Sequence, residues 1–197
     1  TMKHAIACLI IFLCCSCSVS AKPPNILIFL ADDLGWADLG FQGSSDIRTP
    51  NIDRLAARSI RFTDGHVTAS VCSPSRAGLL TGRYQQRFGH EANTPPPDQG
   101  MDLNQQTMGD ALKNCGYRTG IVGKWHLGNA DRFYPTERGF DSFYGLREGS
   151  RSYFFNPDRE DKPSSTKRIE KNGETVPFDG YLTDVFGEQA IEFLQHD

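Results

Sequence analysis

The chain reads as an α/β fold, a mostly parallel sheet sandwiched by helices. Three observations predict it. Asn25-Ile26-Leu27-Ile28-Phe29-Leu30-Ala31 is a continuous apolar run, as in a strand buried on both faces. Tyr117 to Gly123 reads as a second buried strand. Helix signals alternate with these two segments, which is the rhythm of strand–helix–strand units.

Each element follows from local chemistry. Pro23-Pro24 is a stiff lead-in to the first strand, and Asp32-Asp33 follow at its C-terminal end, where open α/β sheets place ligands. Thr49 and Pro50 open a helix as cap and first turn, with Ile52, Leu55, Ala56 and Ile60 as its apolar stripe. Ile60 to Val67 reads as a short strand. Pro74 to Thr81 reads as a helix beginning just after Cys72, and Gln106 to Asn114 as another, with Gly116 just past its end. Lys124-Trp125-His126 sits at the C-terminal end of the Tyr117–Gly123 strand. Asn172-Gly173, between alternating segments, predicts a two-residue hairpin turn. Thr183 caps a last helix with Val185, Phe186, Ala190, Ile191 and Leu194 inside. The chain stops within it, so the sheet is expected to be incomplete at the C-terminus.

Composition sets the class. The 197 residues suffice for one domain, and 38% hydrophobic with 23% charged residues is globular. A net charge of −3 argues against a non-specific nucleic-acid binder. Residues 1–21 read as a signal peptide: Lys3 and His4, an apolar run from Ala5 to Cys15, then small residues with cleavage after Ala21. That run is too short to span a bilayer comfortably, so no transmembrane segment is expected in the mature chain. The protein is expected to be exported, periplasmic or extracellular, with lipidation at Cys17 as the alternative processing. Only Cys72 and Cys115 then remain of the six cysteines, which is no disulfide framework. Without Lys3 the segment 22–197 carries 20 basic and 24 acidic residues, a net of −4.

Three clusters carry chemistry. Cys72 precedes a helix N-terminus, whose N–H groups and dipole favour a thiolate or an anionic oxygen. Arg76 falls one turn on, facing the same side, with a planar fork suited to sulfate or phosphate oxygens. Asp32 and Asp33 repel each other unless a cation or proton neutralises them, and hard oxygen ligands suit Ca²⁺ or Mg²⁺. Lys124 and His126 alternate along an extended segment, so both can point the same way as an anion clamp and a general base. Phe140, Phe143 and Tyr144 read as core or pocket wall. Basic residues from Arg147 to Lys171 are interleaved with acidic ones and read as a solvated surface.

Cys72-Ser73-Pro74-Ser75-Arg76-Ala77-Gly78-Leu79-Leu80-Thr81-Gly82-Arg83 closely resembles the signature of the type I sulfatases, of the alkaline-phosphatase-like superfamily. Gly123-Lys124-Trp125-His126-Leu127-Gly128 and Gly139-Phe140-Asp141-Ser142-Phe143-Tyr144-Gly145 are similar to further segments of that family. The resemblance runs from Asn25 to the final helix and implies an alkaline-phosphatase-like fold, of which residues 22–197 are the N-terminal part. It implies that a formylglycine-generating or equivalent maturation enzyme oxidises Cys72 to formylglycine. Asp32, Asp33 and the modified Cys72 would then be ligands to Ca²⁺, or Mg²⁺, and the remaining ligands come later in the family's chain. Lys124 would bind the substrate's anionic group and His126 would contact the formylglycine. Ser150 or Ser152 matches a polar position near the family's site.

The implied activity is sulfuric ester hydrolysis on a sulfated small molecule or glycan. On that resemblance one hydroxyl of the hydrated aldehyde, oriented by the metal and Arg76, would attack sulfur as the ester's alcohol leaves, and the second, deprotonated with help from His126, would expel sulfate and restore the aldehyde. A related phosphodiesterase or phosphonate monoester hydrolase, and a non-catalytic binding fragment, are the competing readings.

Overall fold

The computed structural model describes residues 22–93, 96 and 98–195. The signal peptide with its cleavage after Ala21, the alternative processing at Cys17, and Pro95 and Pro97 lie outside the described residues. The chain forms two compact units, Thr1–Arg58 and Ser59–Asp197.

In the first unit, residues 25–31 form no strand, contrary to the sequence expectation. Ile26, Leu27 and Ile28 are half exposed, and Phe29 is 82% exposed. The reason lies in what a strand is: its ladder bonds belong to a neighbour, and among the described residues nothing pairs with this run. Further on, α1 (Pro50–Ala56) begins with Pro50 in its first turn, as expected. Thr49 makes no cap bond to the helix. Its hydroxyl instead donates to Asp53 Oδ1 (2.9 Å) and accepts from the Gly40 N–H (2.8 Å). That ties α1 to the short 3₁₀ turn Gly40–Gln42.

The second unit holds the sheet. β1 (Gly120–Lys124) runs parallel to β2 (Ser142–Leu146), in register from Gly120 opposite Ser142 to Lys124 opposite Leu146. β3 (Glu170–Lys171) pairs antiparallel with both β2 and β4 (Glu174–Thr175), so the order is β1-β2-β3-β4 and the sheet is mixed. Between β3 and β4, Asn172 (φ 51°) and Gly173 (φ 94°) are both left-handed. Two such residues in succession make the hairpin turn whose twist matches its strands, as Asn-Gly predicts. The expected strand at Ile60–Val67 is absent, and Ile60 and Phe62 are exposed.

Alternation along β1 and β2 fills a core on each face. Phe143 is fully buried with Ala77, Met101, Trp125, Leu127, Tyr134 and Phe140, and Ile121 packs beside them. Tyr144, the next residue, belongs to the opposite cluster with Leu146, Ile169, Phe178 and Leu182, joined by Val122. Burial on both faces is what a parallel pair requires. α2 (Cys72–Thr81) covers the first face through Ala77 and Leu80. α4 (Leu182–Gln195) covers the second through Leu182, Val185 and Phe186, although Ile191 and Leu194, expected inside, are exposed. Between α2 and β1 lies α3 (Met108–Asn114), which opens with a capping box between Thr107 and Asp110.

β1 and β2 lie close because both carry glycine in the middle of the pairing. Gly123 and Gly145 are opposite each other, and a Cβ on Gly145 would run into the Gly123 carbonyl. At the entrance to the pair, Asp141 Oδ2 accepts the Thr119 N–H (2.9 Å) and hydroxyl (3.1 Å). The C-terminal ends, carrying Lys124 and Arg147, are thereby set side by side.

Candidate active site

α2 starts at Cys72, so this residue lies in the first turn of the helix. Val71, the residue before it, has no side chain able to cap, and the Ser73 N–H is instead accepted by Asn93 Oδ1 at 3.1 Å. At the far end, Gly82 takes the left-handed conformation (φ 62°) that closes many helices. The helix sits close to its surroundings because Gly78 has no side chain: a Cβ there would meet the Thr68 hydroxyl.

The end of β1 supplies the other half of the site. Beyond Lys124 the ladder continues, with Trp125 N–H bonded to Leu146 O and His126 N–H to Arg147 O, both at 2.9 Å. His126 then turns left-handed (φ 59°). The simple alternation expected of Lys124 and His126 therefore stops at His126. Trp125 anchors the segment: it is buried, donates Nε1–H to Phe133 O (2.8 Å) and meets Phe140 edge-on. His126 is also buried, with Gly149 against its ring, where a Cβ would fall 2.6 Å from Cε1.

Two side chains dock α2 on this segment. Ser73 Oγ donates to His126 O and Arg76 Nη1 donates to Lys124 O, each at 2.6 Å. Cys72, Arg76, Lys124 and His126 are thus carried on two elements that touch. Arg76, expected as an anion-binding fork, also holds the backbone of its partner strand, a second role that sequence reasoning missed. Also missed was His90, buried, with Nε2 2.7 Å from Ser73 Oγ. Burial pushes the His90 imidazole down, and a hydrogen bond with the Gly100 backbone opposes that.

Asp32 and Asp33 belong to the first unit, where both are exposed. Asp33 is left-handed (φ 58°), a conformation Asp tolerates better than most residues. Ser152 is engaged by Glu160, whose Oε2 also accepts the Ser152 N–H (2.9 Å), and Ser150 is exposed.

The basic stretch after β2 departs from the expected solvated surface. Arg147 pairs with fully buried Glu170 (2.8 Å) and with Asp131 (2.8 Å), and lies 4.5 Å over the Tyr134 ring. Arg151 grips Asp161 with two bonds, of 2.6 and 2.8 Å, and both side chains are buried. Burial opposes the ionised form of Asp161, yet the Arg151 fork and the Asn156 N–H outweigh it and hold the carboxyl below the usual range.

A helix opening on a cysteine is thus docked against the end of a parallel strand, and comparison identifies the family that carries it. The chain belongs to the sulfatase family, whose sequence model matches residues 24–197. It is 45% identical over 134 residues to human arylsulfatase G, covering 68% of this chain and 26% of that protein. To human N-acetylgalactosamine-6-sulfatase it is 35% identical over 198 residues, covering 90% of this chain and 37% of that one. The crystal structure of Ps i-CgsB superposes with a TM-score of 0.81 at 38% identity, covering 88% of this chain and 41% of that one. That protein has also been crystallised in complex with k-i-k-neocarrahexaose. The chain therefore spans between a quarter and two fifths of these relatives' lengths.

Proposed function

We propose that the protein carrying this chain hydrolyses a sulfate monoester through a formylglycine made from Cys72 by a maturation enzyme. Residues 22–197 supply the N-terminal part of the catalytic domain, exported after removal of residues 1–21. The supporting observation is the docking of α2 on the end of β1. It brings the elements that carry Cys72, Arg76, Lys124 and His126 into contact. The positive end of the α2 dipole and the charges of Arg76 and Lys124 would favour a sulfate group there. The bond from Arg76 to Lys124 O fixes the guanidinium plane before any substrate arrives, so little ordering is left for binding. His126, held in the adjoining segment, would take and return a proton. Buried Trp125 and Leu127 on either side of it keep the strand end dry.

The donor chemistry fits a hard cation. Asp32 and Asp33 offer only carboxylate oxygens, and the left-handed Asp33 breaks the alternation that sends neighbouring side chains to opposite sides. Ca²⁺, or the smaller Mg²⁺, would be held by Asp32 and Asp33 with the group at position 72. The cation would supply Lewis acidity, and the hydrated aldehyde would supply one hydroxyl to displace the alcohol at sulfur and one to release the sulfate. One relative is named for an N-acetylgalactosamine sulfate and another was crystallised with a carbohydrate. A sulfated glycan is accordingly the first substrate to test.

The test is to produce the full-length protein with a formylglycine-generating enzyme, measure conversion at position 72 by mass spectrometry, and assay sulfate release. Sulfate release in proportion to conversion is the expected result. Activity from unconverted Cys72, or hydrolysis of phosphate esters but not sulfate esters, would sink the reading.

A further inference from the structure

We propose that His90 is a positioning residue of this site, acting through Ser73 on the backbone of His126. The inference rests on the functional reading above only for its turnover arm. A serine hydroxyl has one proton to give. Ser73 Oγ lies 2.6 Å from His126 O, an acceptor only, so the proton points there. His90 Nε2 lies 2.7 Å from the same Oγ, so the hydroxyl is held between the imidazole and the His126 carbonyl. His90 thereby fixes the rotor of the hydroxyl that holds His126.

His126 needs holding. Its left-handed backbone (φ 59°) is a conformation that persists where the surroundings over-determine it. Three contacts do so: the Ser73 hydroxyl on its carbonyl, the Arg147 carbonyl on its N–H, and Gly149 against its ring. Of these only the first depends on a further side chain. Ser73 is fully buried and His90 is 6% exposed, so water does not stand in for the imidazole. The same serine offers its N–H to Asn93 Oδ1, so the segment from His90 to Asn93 grips the first turn of α2 at two points. A small displacement of a proton-handling group is enough to cost catalysis without abolishing binding.

The experiment compares His90→Leu, His90→Gln and Ser73→Ala in the full-length protein, each corrected for conversion at position 72. The amide of Gln reaches about as far as Nε2 and keeps a hydrogen-bonding group for Ser73 Oγ. His90→Leu and Ser73→Ala should lower kcat by about 10- to 100-fold with KM little changed, and the double variant should be no worse than either alone. His90→Gln should recover most of the loss. Independently of turnover, the His126 ring resonance, assigned with His126→Gln, should shift or split in His90→Leu and return in His90→Gln. An unmoved His126 resonance in His90→Leu would overturn the proposal. So would equal impairment of the Gln and Leu variants accompanied only by a lower Tm, the pattern of a purely structural histidine. Absence of sulfatase activity in the unsubstituted protein would count against the proposed function, while the resonance arm would still decide the role of His90.

Discussion

Residues 25–33 and residues 120–126 are built on the same plan and end differently. Each is an apolar run leading to polar residues, and each ends on a left-handed residue, Asp33 (φ 58°) in one and His126 (φ 59°) in the other. The second run is a strand, paired with β2 over its whole length and buried at Trp125 and His126. The first has no ladder partner among the described residues, and its side chains are exposed. The difference lies in the neighbour. β2 reaches β1 through a short connection of 3₁₀ turns, and Thr119 and Asp141 fasten the entrance. Apolar sequence makes a segment fit to be a buried strand, and pairing makes it one.

The largest effect should come from position 72, which both polar ends serve in the proposed function. Cys72→Ala removes the proposed precursor of the nucleophile, and turnover of a chromogenic sulfate ester by the full-length protein should fall by about 10⁴-fold or more. The fold should survive, since Cys72 is not in either core cluster. Appreciable multiple turnover by this variant would remove Cys72 from the mechanism.

The next test separates the two runs. Asp33→Ala should abolish Ca²⁺ binding measured by calorimetry and turnover with it. Lys124→Ala should leave Ca²⁺ binding intact and lower turnover by about 10²- to 10³-fold, the scale of losing one preorganised charge contact. If Lys124→Ala lost the metal and Asp33→Ala kept it, the assignment of metal to one run and substrate to the other would be reversed.

Legibility in the sequence follows the same division. The signature from Cys72 to Arg83 was readable because its chemistry is contiguous, and the Asn172-Gly173 hairpin because its turn demands two residues tolerant of positive φ. β2 was not read as a strand: Ser-Phe-Tyr-Gly-Leu is short, and its glycine is there for the approach of Gly123, a contact 22 residues away. The grip of Ser73 by His90 and Asn93 left no sequence signal, because a lone histidine or asparagine in a loop is ordinary. The sequence predicts Arg147 and Arg151 at the surface because interleaved charge normally lies there. Only the fold shows that Glu170 and Asp161 bury with them.

Stability should show the contrast between the runs without any catalysis. On the 197-residue chain, Gly145→Ala forces a methyl group against the Gly123 carbonyl at the centre of the β1–β2 pairing. It should cost about 1–3 kcal/mol in urea unfolding. Leu27→Ala, at a half-exposed site in the unpaired run, should change stability by less than about 0.5 kcal/mol. Equal costs would mean that residues 25–31 are as firmly packed as β1, and the comparison would fail.

The smallest expected effect is a pH dependence at the entrance to the paired run. Asp141 is held below the usual carboxylate range, first by Lys113, whose ammonium lies 2.6 Å from Oδ1, and then by the Thr119 N–H on Oδ2. A depressed folded pKa means that the ionised carboxylate stabilises the folded state. That contribution is fully present above the unfolded value of about 3.9 and is lost as pH falls through the lower folded value. About a third of the side chain is exposed, so solvent screens the pairing with Lys113 and the effect ranks below that of Gly145. Asp141→Asn keeps the shape and removes the charge. Unfolding curves collected from neutral to strongly acid pH should therefore show the original protein losing its advantage over the Asn variant as the pH falls below the ordinary carboxylate range. Added salt should shrink the part owed to Lys113 more than the part owed to the Thr119 N–H, because screening acts on the exposed ion pair. Curves that stay parallel down to the lowest pH would mean that Asp141 fastens β1 to β2 by shape and hydrogen bonding alone, with no contribution from its charge.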